Sequence, residues 1–190
     1  MKKQANKGTL VIFSGPSGSG KDTVLSKVLE RDPSLKLSVS FTTRARRADE
    51  IDGVHYHFLT QEQFRFKLSQ GLVLEYAEYG GSFYGTPKGP VDEMLAAGQT
   101  VILKIEVQGA ARVRKVYPDA LAIFLMPPSP EVLEKRLRAR RTDAEEQIQT
   151  RLAIAREEIR RQDEYRFCVV NDDLERAADD VLNILHDSAC

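Results

Sequence analysis

The chain predicts an α/β fold, with a central parallel sheet flanked by helices, a small mixed α/β subdomain inserted into it, and a helical lid. Three observations lead there. Unbroken, β-prone apolar runs recur along the sequence. Amphipathic stretches of helical period lie between them, and a glycine-rich turn joins the first run to the first helix.

Thr9-Leu10-Val11-Ile12-Phe13 is the first run, continuous as in a strand buried on both faces of a parallel sheet. After the glycine-rich turn, Val24, Leu25, Val28 and Leu29 form one apolar helical stripe. Residues 38–90 change character. They are richer in Tyr, Phe, Thr and Gly, with short alternating pieces and one helix, for which Thr60 is the N-cap and Gln63 stands at the capping-box position. Buried-strand patterns return at Val101-Ile102-Leu103, at Leu121–Met126 and at Phe167-Cys168-Val169-Val170. Ser129-Pro130 is a cap and first-turn pair for a helix through Val132, Leu133 and Leu137. Ile148, Leu152, Ala155 and Ile159 stripe the next helix, and Val181, Leu182 and Leu185 the last. The expected organisation is one domain over 1–190. Its core is 8–37 and 91–190, its inserted subdomain about 38–90 and its lid about 136–151.

Composition excludes several functions. Among 190 residues, 28 Lys and Arg balance 28 Asp and Glu, which argues against a protein that coats nucleic acid or an anionic membrane. The arginines nevertheless crowd into Arg44–Arg47 and Arg136–Arg141, suggesting local anion sites. Two cysteines, Cys168 and Cys190, in a chain able to build its own core fit a reducing cytoplasm. The apolar run after Met1-Lys2-Lys3 is too short for a secretion signal. Ala120–Met126 falls far below the roughly 20 residues of a membrane helix. The expectation is a cytoplasmic protein with small-molecule partners.

Gly15-Pro16-Ser17-Gly18-Ser19-Gly20-Lys21-Asp22-Thr23 lies between a strong strand and a strong helix. Gly, four residues, Gly-Lys is the core of a P-loop: backbone N–H groups converge on phosphate and the helix start adds its positive end. Lys21 supplies a mobile charge for the β- and γ-phosphates. The full pattern places Ser or Thr after the lysine to reach Mg²⁺, and here that residue is Asp22. Its carboxylate either ligates Mg²⁺ or repels phosphate, and Thr23 is the alternative hydroxyl.

Further motifs follow in order. They are Ser38–Arg47, Asp52–Phe58, Glu75-Tyr76-Ala77-Glu78, Ser82-Phe83-Tyr84-Gly85-Thr86 and Ile105-Glu106-Val107-Gln108-Gly109. With the P-loop, these strongly resemble guanylate kinases over nearly the whole chain. The resemblance implies a P-loop kinase core that transfers the γ-phosphoryl of ATP, with Mg²⁺, to GMP. It implies an acceptor site of Ser40, Arg44, Arg47, Tyr56, Glu75, Tyr84, Thr86 and Glu106. Their chemistry agrees: guanidinium forks grip phosphate oxygens, and tyrosine hydroxyls add neutral donors. One carboxylate, Glu75, can accept both the N1–H and the 2-amino group of guanine, a donor pair adenine lacks. Ser40 and Thr86 assist at the base.

Arg136, Arg140 and Arg151 match the lid arginines of the family, which stabilise charge on the transferred phosphoryl. Asn171, after the last strand, matches a segment near the adenine. Three positions depart from the pattern: Asp22, Lys104 where an acid is frequent, and Arg141 where glycine is usual. His55 and His57 alternate on a predicted strand and lack a third metal ligand at workable spacing. Two rivals remain open on sequence alone. One is a guanylate-kinase-like module that binds a protein partner, and the other a P-loop kinase acting on a phosphorylated sugar or another nucleotide.

Overall fold

The computed structural model describes residues 8–139 and 145–188. It has the expected α/β class, with parallel strands among helices and a separate mixed sheet. Two compact units make up the chain. One combines the described residues of Met1–Leu10 and Leu35–Ala120, the other those of Val11–Ser34 and Leu121–Cys190.

In the second unit, β1 (Leu10–Ser14) pairs in parallel with β8 (Leu121–Met126), Val11 opposite Leu121 and Ser14 opposite Phe124. On its other side β8 pairs in parallel with β9 (Phe167–Val170). Both faces of β1 and β8 are buried, which is why their sequences are apolar without alternation. The helix α1 (Lys21–Arg31) buries Val24, Leu25 and Val28, each worth about 1.5–3 kcal/mol on leaving water. It packs against α7 (Leu174–Asp187), whose Ala177, Ala178, Val181 and Leu185 form the buried stripe. Ser129 Oγ accepts the Val132 N–H at 3.3 Å and so caps α5 (Pro130–Ala139), as the Ser-Pro pair predicts. Leu133 and Leu137 of α5 meet Ile148, Leu152 and Ala155 of α6 (Glu145–Arg160) in one cluster, with Ile159 at its edge.

The first unit carries β2 (Lys36–Leu37), parallel to β7 (Val101–Lys104). It also holds a four-stranded sheet in the order β4-β3-β6-β5. Here β3 (Phe41–Thr42) runs parallel to β4 (His57–Phe58) and antiparallel to β6 (Ser82–Pro87). In turn β6 forms a hairpin with β5 (Val73–Tyr79). The helix α2 (Gln61–Ser69) has both halves of the predicted capping box. Thr60 Oγ1 accepts the Gln63 N–H at 3.1 Å, and Gln63 Oε1 accepts the Thr60 N–H at 2.8 Å. Its Phe64 stacks on Phe83 of the sheet at 5.3 Å between ring centroids. The unit is completed by α3 (Lys88–Ala96) and α4 (Val107–Val116).

One expectation needs correcting. His55 and His57 do not share a strand: only His57 lies in β4, while His55 Nδ1 accepts the Ile51 N–H at 3.0 Å in the preceding turn. A turn-closing hydrogen bond, not sheet pairing, fixes His55. Among the described residues, no helix is long and apolar enough to cross a membrane.

Candidate active site

The glycine-rich turn runs from the end of β1 into α1. Lys21 Nζ donates to the carbonyls of Gly15, at 2.5 Å, and Pro16, at 3.2 Å. The ammonium therefore lies back over the loop that its own backbone forms. Gly20, the residue before α1, has φ 97°, a left-handed conformation, and a Cβ there would sit 2.3 Å from Asn171 Nδ2. Only glycine fits both demands.

The carbonyl of Ser19 organises the surroundings. It accepts from Asn171 Nδ2 at 2.7 Å and from a guanidinium nitrogen of Arg136 at 3.1 Å. Arg136 also donates to the Asn171 carbonyl at 2.9 Å. Asn171 is buried, and its own N–H reaches the Met126 carbonyl at 2.8 Å. The structure thus brings Gly15–Lys21, Arg136 and Asn171 together. Asp22 and Thr23 are exposed in the first turn of α1, where a carboxylate is favoured by the helix dipole. Ser17 and Gly18 are partly exposed in the loop, and Ser19 Oγ is buried with no hydrogen-bond partner. Arg151 is half-buried on α6, on the turn that carries Ile148 and Leu152. Arg140 and Arg141 lie outside the described residues.

A second constellation forms within the first unit. Arg44 holds Glu50 with both guanidinium nitrogens, at 2.6 and 3.0 Å, and Glu50 also accepts the Arg47 N–H at 2.8 Å. These donors hold the Glu50 carboxyl down at about 2, with the Arg44 hydrogen bond the larger cause, and the same bond raises Arg44. The Arg44 guanidinium lies 5.6 Å from the Tyr56 ring centroid, and Tyr56 meets Tyr84 edge-on at 6.0 Å. Lys104, at the end of β7, places its ammonium 5.5 Å from the same Tyr56 centroid. The Arg47 side chain is exposed beside this group.

Glu75 sits on β5 opposite Thr86 of β6, and both are buried. Thr86 Oγ1 donates to Glu75 Oε1 at 2.7 Å. Glu75 Oε2 lies against Gly109 in the first turn of α4, where an added Cβ would be 2.2 Å away. Burial is the main cause that pushes Glu75 up to about 7; the Thr86 bond and the charge of Arg112 act the other way, and Glu106 adds to the rise. Glu106 precedes α4 and has its Oε2 buried with no hydrogen-bond partner. Ser40 is half-buried before β3, its carbonyl accepting the His57 N–H at 2.9 Å.

Sequence reasoning missed Glu50 and Gly109. An acid three residues after Arg47 was the available signal for the first, and a glycine within a helical stretch for the second. Among the described residues there is no group of three or more His, Cys, Asp or Glu able to hold a metal ion. A Mg²⁺ ion that binds mainly through phosphate oxygens needs only one or two protein carboxylates, so Asp22 fits it as a hard oxygen donor.

Comparison with known proteins bears on this arrangement. The family model described as guanylate kinase matches residues 7–188. A guanylate kinase of Carboxydothermus hydrogenoformans is 48% identical over 180 residues, covering 95% of this chain and 88% of that one. A guanylate kinase of Synechocystis is 49% identical over 171 residues, 90% of each chain. The crystal structure of guanylate kinase from Anaplasma phagocytophilum superposes with a TM-score of 0.81 at 34% identity, covering 97% of this chain and 87% of that one. A gluconokinase from Sinorhizobium meliloti, 20% identical with a TM-score of 0.53, shares the fold alone. The match over residues 7–188, with relatives 48% and 49% identical over most of the chain, shows that the chain belongs to the guanylate kinase family.

Proposed function

We propose that this chain transfers the γ-phosphoryl group of ATP to GMP, giving ADP and GDP, as a cytoplasmic enzyme of purine nucleotide metabolism. The observation that carries the acceptor assignment is Glu75. It is a buried carboxylate on a strand, held by Thr86 at 2.7 Å, beside the first turn of α4. A carboxylate so fixed accepts two parallel N–H donors, and guanine presents them where adenine does not. Ser40 and Glu106 complete the base contacts, the buried Oε2 of Glu106 offering a further acceptor.

Arg44, Arg47, Tyr56 and Tyr84 grip the acceptor phosphate in this reading, supported by the convergence of Arg44 and Tyr84 on the Tyr56 ring and by the Arg47 N–H on the same Glu50 that Arg44 holds. The backbone of Gly15, Pro16, Ser17, Gly18, Ser19 and Gly20 cradles the ATP phosphates. Lys21 is the mobile cation, and Asn171 fixes the loop through the Ser19 carbonyl. Segment 38–90 is the proposed acceptor subdomain and 136–151 the proposed lid, both carried by the core of 8–37 and 91–190. Arg136, Arg140 and Arg151 of the lid stabilise the negative charge that develops on the equatorial phosphoryl oxygens. The acceptor phosphate is already ionised, so no general base is required. Asp22, with Thr23 beside it, would hold the Mg²⁺ that accompanies ATP, and the ion would supply positive charge to offset that of the phosphates.

The test is ADP release with ATP, Mg²⁺ and each of GMP, AMP, CMP and UMP in turn. Turnover with GMP in the range of roughly 1–100 per second, and little with the other three, is the expected result. Comparable rates with AMP would remove the assignment of guanine to Glu75.

A further inference from the structure

Glu75 is held at one oxygen by the Thr86 hydroxyl of β6, at 2.7 Å, and lies with the other against Gly109 of α4. The setting of that carboxylate therefore depends on how α4 is seated on β5. Arg112 joins the two elements. It stands three residues after Gly109, so both positions share one face of α4. Its guanidinium donates to the carbonyl of Tyr76, the residue after Glu75 on β5, and lies 4.7 Å from the centroid of the Tyr76 ring. That ring packs edge-on against Phe64 at 6.2 Å and Phe83 at 6.4 Å, so the arginine is fixed on a side chain that is itself held.

A clamp of this kind does more than pack, because a guanidinium stays charged at any pH where a protein is folded. Two charged groups act on the buried Glu75 carboxyl from α4 and the residue before it. Glu106 favours the protonated form and Arg112 the ionised one, while the Thr86 hydrogen bond, which carries no charge, acts with Arg112. The paired N–H donors of guanine need the ionised form, which only accepts. The contact with Tyr76 keeps the cation on the side of α4 from which it favours that form.

We propose that Arg112 is a positioning residue for guanine, acting through Glu75: clamped to Tyr76, it fixes a cation on the α4 side of that carboxylate. The proposal rests on the reading of Glu75 as the group that receives guanine.

The experiment is calorimetric binding of guanosine, and separately of ATP, to the full chain and to Arg112→Met, Arg112→Lys and Glu75→Gln, at about pH 6 and about pH 8.5. Methionine keeps an apolar stem for the Tyr76 ring and removes the charge, whereas lysine keeps the charge. Arg112→Met weakens guanosine about threefold to tenfold at the lower pH and clearly less at the higher, where the carboxyl is ionised with or without the arginine. Arg112→Lys stays close to wild type at both, and neither variant moves ATP binding. If Arg112→Met binds guanosine as wild type does at both pH values, the role of Arg112 is overturned. Equal weakening at both, or a matching loss of ATP affinity, also overturns it, since that marks a contact that only supports the fold. If wild-type affinity for guanosine does not change with pH and survives Glu75→Gln, the reading of Glu75 fails and the proposal falls with it.

Discussion

If Glu75 reads guanine as proposed, its carboxyl makes guanine binding a proton-releasing event. Burial raises it from its ordinary 4.5 to about 7, which costs the ionised form about 3 kcal/mol. Guanine offers two N–H donors, so it needs the carboxylate ionised, and below pH 7 the proton must leave before or as the base binds. The affinity for guanosine, whose sugar carries no titrating phosphate, is therefore expected to fall about tenfold per pH unit below 7 and to level off above it. Calorimetry at pH 6 in buffers of different ionisation enthalpy should show about 0.9 proton released per guanosine, and almost none at pH 8.5. Glu75→Gln abolishes the pH dependence and weakens guanosine on the order of 100-fold, because its amide N–H₂ faces the 2-amino group donor to donor. Stability carries the same signature. The folded form holds the Glu75 proton up to about 7 and the unfolded form only to 4.5, so this group's contribution declines as pH rises through that window. Above pH 7, Glu75→Gln is thus expected to stabilise the chain by up to about 3 kcal/mol. Guanosine affinity flat from pH 5.5 to 8, with no proton exchanged, would refute the reasoning.

Other sites give further expectations. Gly109→Ala places a Cβ 2.2 Å from Glu75 Oε2 and must displace that buried side chain. It should cost about 1–3 kcal/mol of stability, measured by denaturant titration, and weaken GMP while sparing ATP. Lys21→Ala should lower kcat on the order of 10²–10³-fold with the melting temperature little changed, since its partners are loop carbonyls rather than core groups. Near-normal turnover would sink the assignment of the P-loop lysine. Asn171→Ala removes the 2.7 Å donor to the Ser19 carbonyl. It should cost about 1 kcal/mol and raise the KM for ATP several-fold with the KM for GMP unmoved; equal changes in both would show a general loss of fold.

What could be read from sequence was what the chain specifies locally. The P-loop is a backbone shape written by consecutive residues, and the Thr60–Gln63 capping box closes within four. In the second unit β1, β8 and the helices followed from apolar period, because their buried faces are continuous; β9, which reads as a buried strand, proves to be an edge strand with only Val169 buried. Much of the first unit beyond α2 and β7 resisted. Its β2, β3 and β4 are two residues each, too short to show a period. Gly89 and Pro90 occupy the first turn of α3 and hide a helix that its packing nonetheless enforces. Gly109 matters because Glu75, 34 positions earlier, lies against it, and a glycine within a helical stretch hints at a close approach without naming the partner. Glu50 was passed over because an acid near two arginines reads as solvated surface until the distances are known.

Those distances separate two ways of holding the cations proposed to bind phosphate. Lys21 and Arg136 are bound by neutral carbonyls, those of Gly15, Pro16, Ser19 and Asn171. Such partners orient a cation without cancelling it, so the full charge remains to act on a triphosphate and on the charge that transfer develops. Arg44 is bound by a carboxylate held down at about 2, which stays ionised at any pH where the protein works. Its fork keeps its direction, but its charge is already offset, so in the proposed grip it would meet the acceptor phosphate mainly as a set of hydrogen-bond donors. A grip of that kind recognises the shape of a phosphate without holding it tightly, which suits a substrate whose product must leave on every cycle.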